Sequence, residues 1–285
     1  GRAFQAFALF MYQDGKKFAK EEKIKISPDV KELYGTTLKN EKTRALMFMF
    51  GHYLPSFYFR DKEWIQGLFS QIFSAESEKK NLYTASWEGY VSANLYEEIF
   101  FNPEIQKLYE RGLVLTDADY PKQKHFKEPD EGVAVHIALA FMHFSKFGFE
   151  HDLFKKFWSI PNAENHKEFI SFIGRHSISR ESATEWIKYN KVDLEKIKKF
   201  WDWALENCNA DALTGFGFWI NVERSPLDTK WLAQHARQTL EKTKGYVEWE
   251  YGLMRSLPAF AKEAPEDALA ILRAHLLEEV AKHEP

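Results

Sequence analysis

His136 and His143 lie seven residues apart in one apolar run. A helix there puts both imidazoles near one face, but about 10 Å apart along the axis. Two ligands of one ion on a single helix want a spacing of three or four, and the chain has no His-Glu-x-x-His pattern. The histidines therefore read as packed side chains, and no metal or other cofactor is expected. Cys208 is the one cysteine, which rules out a disulfide within the chain and a thiolate cluster for zinc. It stands between Asn207 and Asn209 with no nucleophile signature around it and reads as a small hydrophobe. No Gly-x-Ser-x-Gly elbow occurs. Gly215-x-Gly217 runs into Phe218 and Trp219 instead of Gly-Lys-Ser/Thr and follows a helical pattern, so it is not a phosphate loop. Its small residues read as a place where another backbone comes close. Glu97-Glu98 and Glu278-Glu279 read as solvated faces. No catalytic residue is assigned, and an enzyme with an unrecognised site stays only as a second alternative.

Two features offer binding instead. The stretch 188–199 carries Lys188, Lys191, Lys196, Lys198 and Lys199 close to Trp201 and Trp203, a composition that can hold nucleic-acid phosphates and stack on bases. Glu185, Asp193, Glu195 and Asp202 interleave with these lysines, which favours a solvated mixed face. The segment 216–220 is aromatic and runs into Asn221, Glu223 and Arg224. Trp219 beside Arg224 has the composition of an anchor for a protein partner. The competing reading puts Trp219 in the core, between the helix at 194–206 and the one beginning at Pro226.

The elements that position these residues are helical. Apolar residues recur at three and four along Phe4, Phe7, Ala8 and Met11, along Leu46, Met49, Phe50, Tyr53 and Leu54, and along Leu194, Ile197, Phe200, Trp201 and Ala204. Asn40, Asp130, Asn162, Ser179, Asp193 and Ser225 each precede such a pattern and are expected to cap it. Pro28, Pro103, Pro226 and Pro265 suit first helical positions. Gly35, Gly148 and Gly245 read as stops. The end of the chain, 225–283, resolves into three helices with almost no linker, the second over 246–263. No sustained period-two alternation is present. The fold class is all-α, and helix pairs of about 35 to 45 residues predict an irregular HEAT-like α-solenoid of antiparallel pairs. The expected organisation is a helical part over 1–115, an exposed loop or boundary at 116–130 and a helical-repeat part over 131–285.

Bulk properties agree with a folded protein: 285 residues, 45% hydrophobic and 28% charged, with 25 Phe, 12 Tyr and 9 Trp to be packed. The formal net charge of −3 leaves no footprint for binding nucleic acid over the whole molecule. The longest apolar runs, 45–50 and 137–142, fall far short of the roughly 20 residues a bilayer demands, so no membrane partner is expected. A lone cysteine suits a reducing, cytoplasmic setting. The chain opens without Met on residues that already read as mid-helix, which suggests a piece of a longer polypeptide.

Trp87-Glu88-Gly89-Tyr90, the 215–219 segment and Pro265-Glu266-Asp267-Ala268-Leu269 resemble features of the C-terminal helical regions of large bacterial proteins. Those proteins carry an N-terminal effector or sirtuin-like domain, often a STAND-type NTPase, and many are tied to phage defence. The resemblance covers the chain from about Asn81 onward. It implies a helical scaffold or sensor region that binds a protein partner or other domains of its parent. The nucleotide-binding and effector motifs of that family are absent from this sequence, so the resemblance brings no catalytic residue with it.

Overall fold

The structure is a computed structural model that describes residues 2–17, 26–40, 43–74, 80–115 and 129–283. Every regular element among the described residues is helical. Of the expected loop or boundary over 116–130, residues 116–128 lie outside the described residues, whereas Pro129 and Asp130 already belong to a helix. The chain forms two compact units, residues 1–136 and 137–285.

The first unit contains α1 (Arg2–Lys17), α2 (Pro28–Asn40), α3 (Arg44–His52), α4 (Leu54–Arg60), α5 (Lys62–Gln66), α6 (Phe69–Ile72), α7 (Lys80–Val91), α8 (Glu97–Phe100) and α9 (Pro103–Gly112). α10 (Pro129–His143) passes through the division between the units. Helix α2 does not stop at Gly35. Tyr34 and Leu38 bury on one face across that glycine, and their packing outweighs its cost. Asn40 closes α2 and does not cap α3. The apolar pattern through Leu46, Met49, Phe50, Tyr53 and Leu54 is broken at Tyr53, because Pro55 takes an early position in a new helix where its missing N–H costs nothing. Asn102 caps α9 through its side chain, with Pro103 at the first helical position. Asp130 lies inside α10, one residue after its start, so it is not the cap.

The core of this unit is aromatic. Tyr34 meets Phe50 and Phe57 with ring centroids 4.8 Å apart in both cases, and Phe4 meets Phe50 at 5.0 Å. α3 and α7 cross closely enough that a Cβ on Gly51 would overlap Ser86 O and one on Gly89 would overlap Phe48 O. Arg44 ties the two helices together, donating to Thr84 Oγ1 at 2.8 Å and to Glu88 Oε1 at 2.7 Å.

The second unit continues with α11 (Asp152–Ser159), α12 (Ala163–Ile173), a π-helical turn (Gly174–Ile178), α13 (Ala183–Tyr189), α14 (Leu194–Asn207), α15 (Ala210–Leu213), a 3₁₀ segment (Thr214–Trp219), α16 (Thr229–Lys242), α17 (Glu250–Glu263) and α18 (Pro265–His283). Asn162 and Asp193 cap α12 and α14 as their sequence positions predict. Two expected starts move. Asp228 caps α16 by accepting from Trp231 N at 2.9 Å, while Ser225 Oγ accepts from Leu227 N in the turn before it. Ser179 precedes a turn, and α13 begins only after Ser182, which is left-handed at φ 54. α16 ends with Gly245 N donating to Leu240 O at 2.8 Å, a closure that satisfies one of its last carbonyls. The next helix starts at Glu250, not at 246. α18 packs against both α16 and α17.

Candidate partner-binding surface

Trp219 and Arg224, adjacent in the sequence reading, part company in the structure. Trp219 is fully buried, and its Nε1 donates to Ile170 O at 2.8 Å. Its ring meets Phe216 at 4.9 Å and Trp201 at 5.2 Å, and Trp201 stacks on Phe216 at 4.3 Å and 2°. It is a core residue and leaves a partner nothing to grip, which corrects its place as an anchor. Arg224 is exposed on the turn that leads to α16. The 3₁₀ segment holding Trp219 is built as its glycines suggest. A Cβ on Gly217 would overlap Glu248 O, and one on Gly215 would come 2.8 Å from Lys167 O.

The backbone that comes down on Gly217 is the turn 243–249, and it carries the exposed aromatics. Glu248 N donates to Thr214 O at 3.0 Å. The Glu248 carboxylate accepts from Ser171 Oγ at 3.5 Å and pairs with Lys167 Nζ at 3.4 Å, so the turn is fastened to α12. Trp249 follows in a left-handed conformation at φ 57 and ψ 50, an outlier for so bulky a residue. Its ring stacks on Phe218 at 5.9 Å and 10°, and an edge of it lies over Gly252. Trp249 nevertheless stays 38% exposed, and Tyr251, 6.4 Å from it, is 61% exposed.

Two arginines flank this pair. The Arg175 guanidinium sits 4.9 Å from the Phe218 ring and is held by both oxygens of Glu168 at 2.8 and 2.9 Å. Arg255 donates to both oxygens of Glu223 at 2.7 Å and to Tyr251 Oη at 3.2 Å. The bonds to Tyr251 and Glu223 raise its already high pKa, so its charge is permanent. The result is a half-exposed Trp–Phe stack, a tyrosine and two oriented guanidinium groups on one unit. Trp249, Tyr251 and Arg255 stand about 30 residues beyond Trp219 and Arg224, the pair that the sequence singles out. The signal that could have found them was the cluster Tyr246, Trp249 and Tyr251 just ahead of a helix.

The lysines of the 188–199 stretch differ in exposure. Lys196 turns inward, donating from Nζ to Phe141 O and Phe147 O at 2.5 Å each, with the Phe141 ring centroid 4.4 Å away. Burial pushes its amine down to about 8. Lys198 pairs with Glu195 at 2.8 Å and lies 5.9 Å from the Trp231 ring. Lys188, Lys191 and Lys199 are exposed.

The other chemistry-bearing residues have structural uses. His136 is buried in the first unit, accepting at Nδ1 from Tyr109 Oη at 2.7 Å and donating from Nε2 to Ala93 O at 3.0 Å. Burial lowers its pKa to about 4, and a neutral ring suits both bonds. His143, in the second unit, is half-buried against Trp186. Burial pushes the Cys208 thiol up to about 12, which disfavours the thiolate that a nucleophile needs.

No family model, curated protein or solved structure matches the chain. No helix among the described residues is long and apolar enough to cross a membrane.

Proposed function

We propose that this chain is a non-catalytic helical scaffold or sensor region that docks a protein partner, or another domain of its parent, on the Trp249–Tyr251 surface. The observation that carries this reading is Trp249. A bulky residue is held in left-handed backbone, with its ring clamped on Phe218 and more than a third of its surface left in solvent. Strain of this kind costs about 1–3 kcal/mol and persists where a fixed geometry is used. Tryptophan, tyrosine and arginine are the side chains that dominate binding energy at protein interfaces. Pre-orientation by Phe218 and Glu223 lowers the entropy lost on binding. The finer architecture we read is an irregular HEAT-like stack, supported within the second unit by the packing of α18 on α16 and α17. A setting in bacterial phage defence rests on the resemblance of the Trp87–Tyr90, 215–219 and 265–269 segments.

The test places a photo-crosslinking amino acid at Tyr251, identifies the captured protein and then measures its affinity by calorimetry. Trp249→Ser and Tyr251→Ser should each weaken binding by about 30-fold or more, the loss expected at a hot spot. Tyr189→Ser, at a tyrosine 86% exposed on α13, should change it less than twofold. Equal effects at Tyr189 and Trp249 would sink the surface. Nucleic-acid binding is the second reading. It is favoured only by the exposure of Lys188, Lys191 and Lys199, and it requires an affinity that falls steeply with salt and with Lys→Glu changes at those positions.

A further inference from the structure

Beside this surface, on its α18 side, three side chains of metal-ligating type converge. Glu250 opens α17, directly between Trp249 and Tyr251. His275 and Glu278 lie three residues apart on α18 and so share a face. One ligand atom from each of the three lies within 4.8 Å of the others, and all three residues are half-buried. His275 Nδ1 is removed from solvent and has no hydrogen-bond partner among the described residues. The turn that precedes Glu250 is seated on α18 at the same level. Gly245, at φ 93, leaves so little room that a Cβ there would overlap Ala274 O and come 2.8 Å from Glu278 Cβ.

The geometry points to a divalent-cation site formed by Glu250, His275 and Glu278, with zinc the best-matched ion. One imidazole nitrogen and two carboxylate oxygens form a mixed donor set that suits zinc and its first-row neighbours, whereas magnesium and calcium want oxygen alone. Tetrahedral bonds of about 2.0–2.2 Å bring ligand atoms to roughly 3.4 Å of one another, which side-chain rotation can reach from the spacing seen here. The paired helix spacing was legible in the sequence as His-x-x-Glu; the third ligand, 25 residues earlier, was not. Glu278, read from the sequence as part of a solvated acidic face, is half-buried in this cluster. The ion would clip the start of α17 to α18 and fix the backbone on both sides of Glu250, and with it the two exposed aromatics. This inference does not depend on the identity of any partner.

The test is calorimetric titration of Zn²⁺ into the full chain after chelator treatment, with melting curves with and without the ion. One Zn²⁺ per chain and a rise in Tm on saturation are expected. His275→Ala and Glu250→Gln should each weaken uptake by at least about tenfold and abolish the Tm rise. Melts of the metal-free variants show whether they fold. If His275→Ala does not, Glu250→Gln and the visible spectrum of Co²⁺ bound to the wild-type chain decide, tetrahedral Co²⁺ being intensely coloured. No uptake by the wild-type chain, or wild-type uptake in folded His275→Ala or Glu250→Gln, would overturn the site.

Discussion

Gly217 lies directly under the carbonyl of Glu248, so close that no side chain fits between them. This contact joins the 3₁₀ segment carrying Trp219 to the turn carrying Trp249. It explains why a glycine occupies a position where its backbone conformation does not demand one: among the described glycines only Gly245 has positive φ. Gly217→Ala should therefore destabilise by about 1–3 kcal/mol, the range for overpacking. Gly35→Ala is the opposite case, since nothing lies within 4 Å of a Cβ there and the residue is inside α2. It should stabilise by about 0.5–1 kcal/mol. Urea melts of the two variants should move in opposite directions.

Trp219→Ala removes a fully buried indole that touches Phe200, Trp201 and Phe216 and donates to Ile170 O. A loss of about 3–5 kcal/mol is expected, as for other large core aromatics. Thermal melts check it. A Tm shift of less than a degree would contradict the packing described.

His136 makes stability depend on acid. Its folded pKa of about 4 lies below the usual histidine value of 6.5, so the unfolded chain binds the extra proton first. Stability from this group is complete above pH 6.5 and is lost as pH falls towards 4, by on the order of 3 kcal/mol. Burial lowers the pKa of His52, His143, His151 and His166 as well, which adds to the slope with the same sign. Urea melts between pH 4 and 7 should show a shallower pH dependence in His136→Gln than in the wild-type chain, whatever the variant's stability at pH 7.

Lys196 and Lys199 are three residues apart on α14 and should behave differently. Lys196→Met deletes two charge-assisted bonds to the carbonyls of Phe141 and Phe147 and should cost about 1.5–3 kcal/mol. Lys199→Met changes an exposed side chain and should stay within about 0.5 kcal/mol. Chemical denaturation of both variants at pH 7 makes the comparison.

What the chain determined by itself was local. An all-helical class followed from apolar spacing. The caps at Asn162 and Asp193, and the starts at Pro103 and Pro265, follow from groups that meet partners within three or four residues. Where two local signals competed, one prevailed in the structure. Asp228 displaced Ser225 as the cap of α16, and burial of Tyr34 and Leu38 carried α2 past Gly35. The candidate surface needed the tertiary structure, because its determinants lie far apart in sequence. Trp249 is shaped by Phe218, Arg255 by Glu223, Lys196 by the carbonyls of Phe141 and Phe147, and Glu250 by residues of α18. Whether a tryptophan becomes core or surface is decided by which backbone comes to lie beside it. Trp219 and Trp249 have the same side chain, but one ended under α12 and the other on the rim of the turn that covers Gly217.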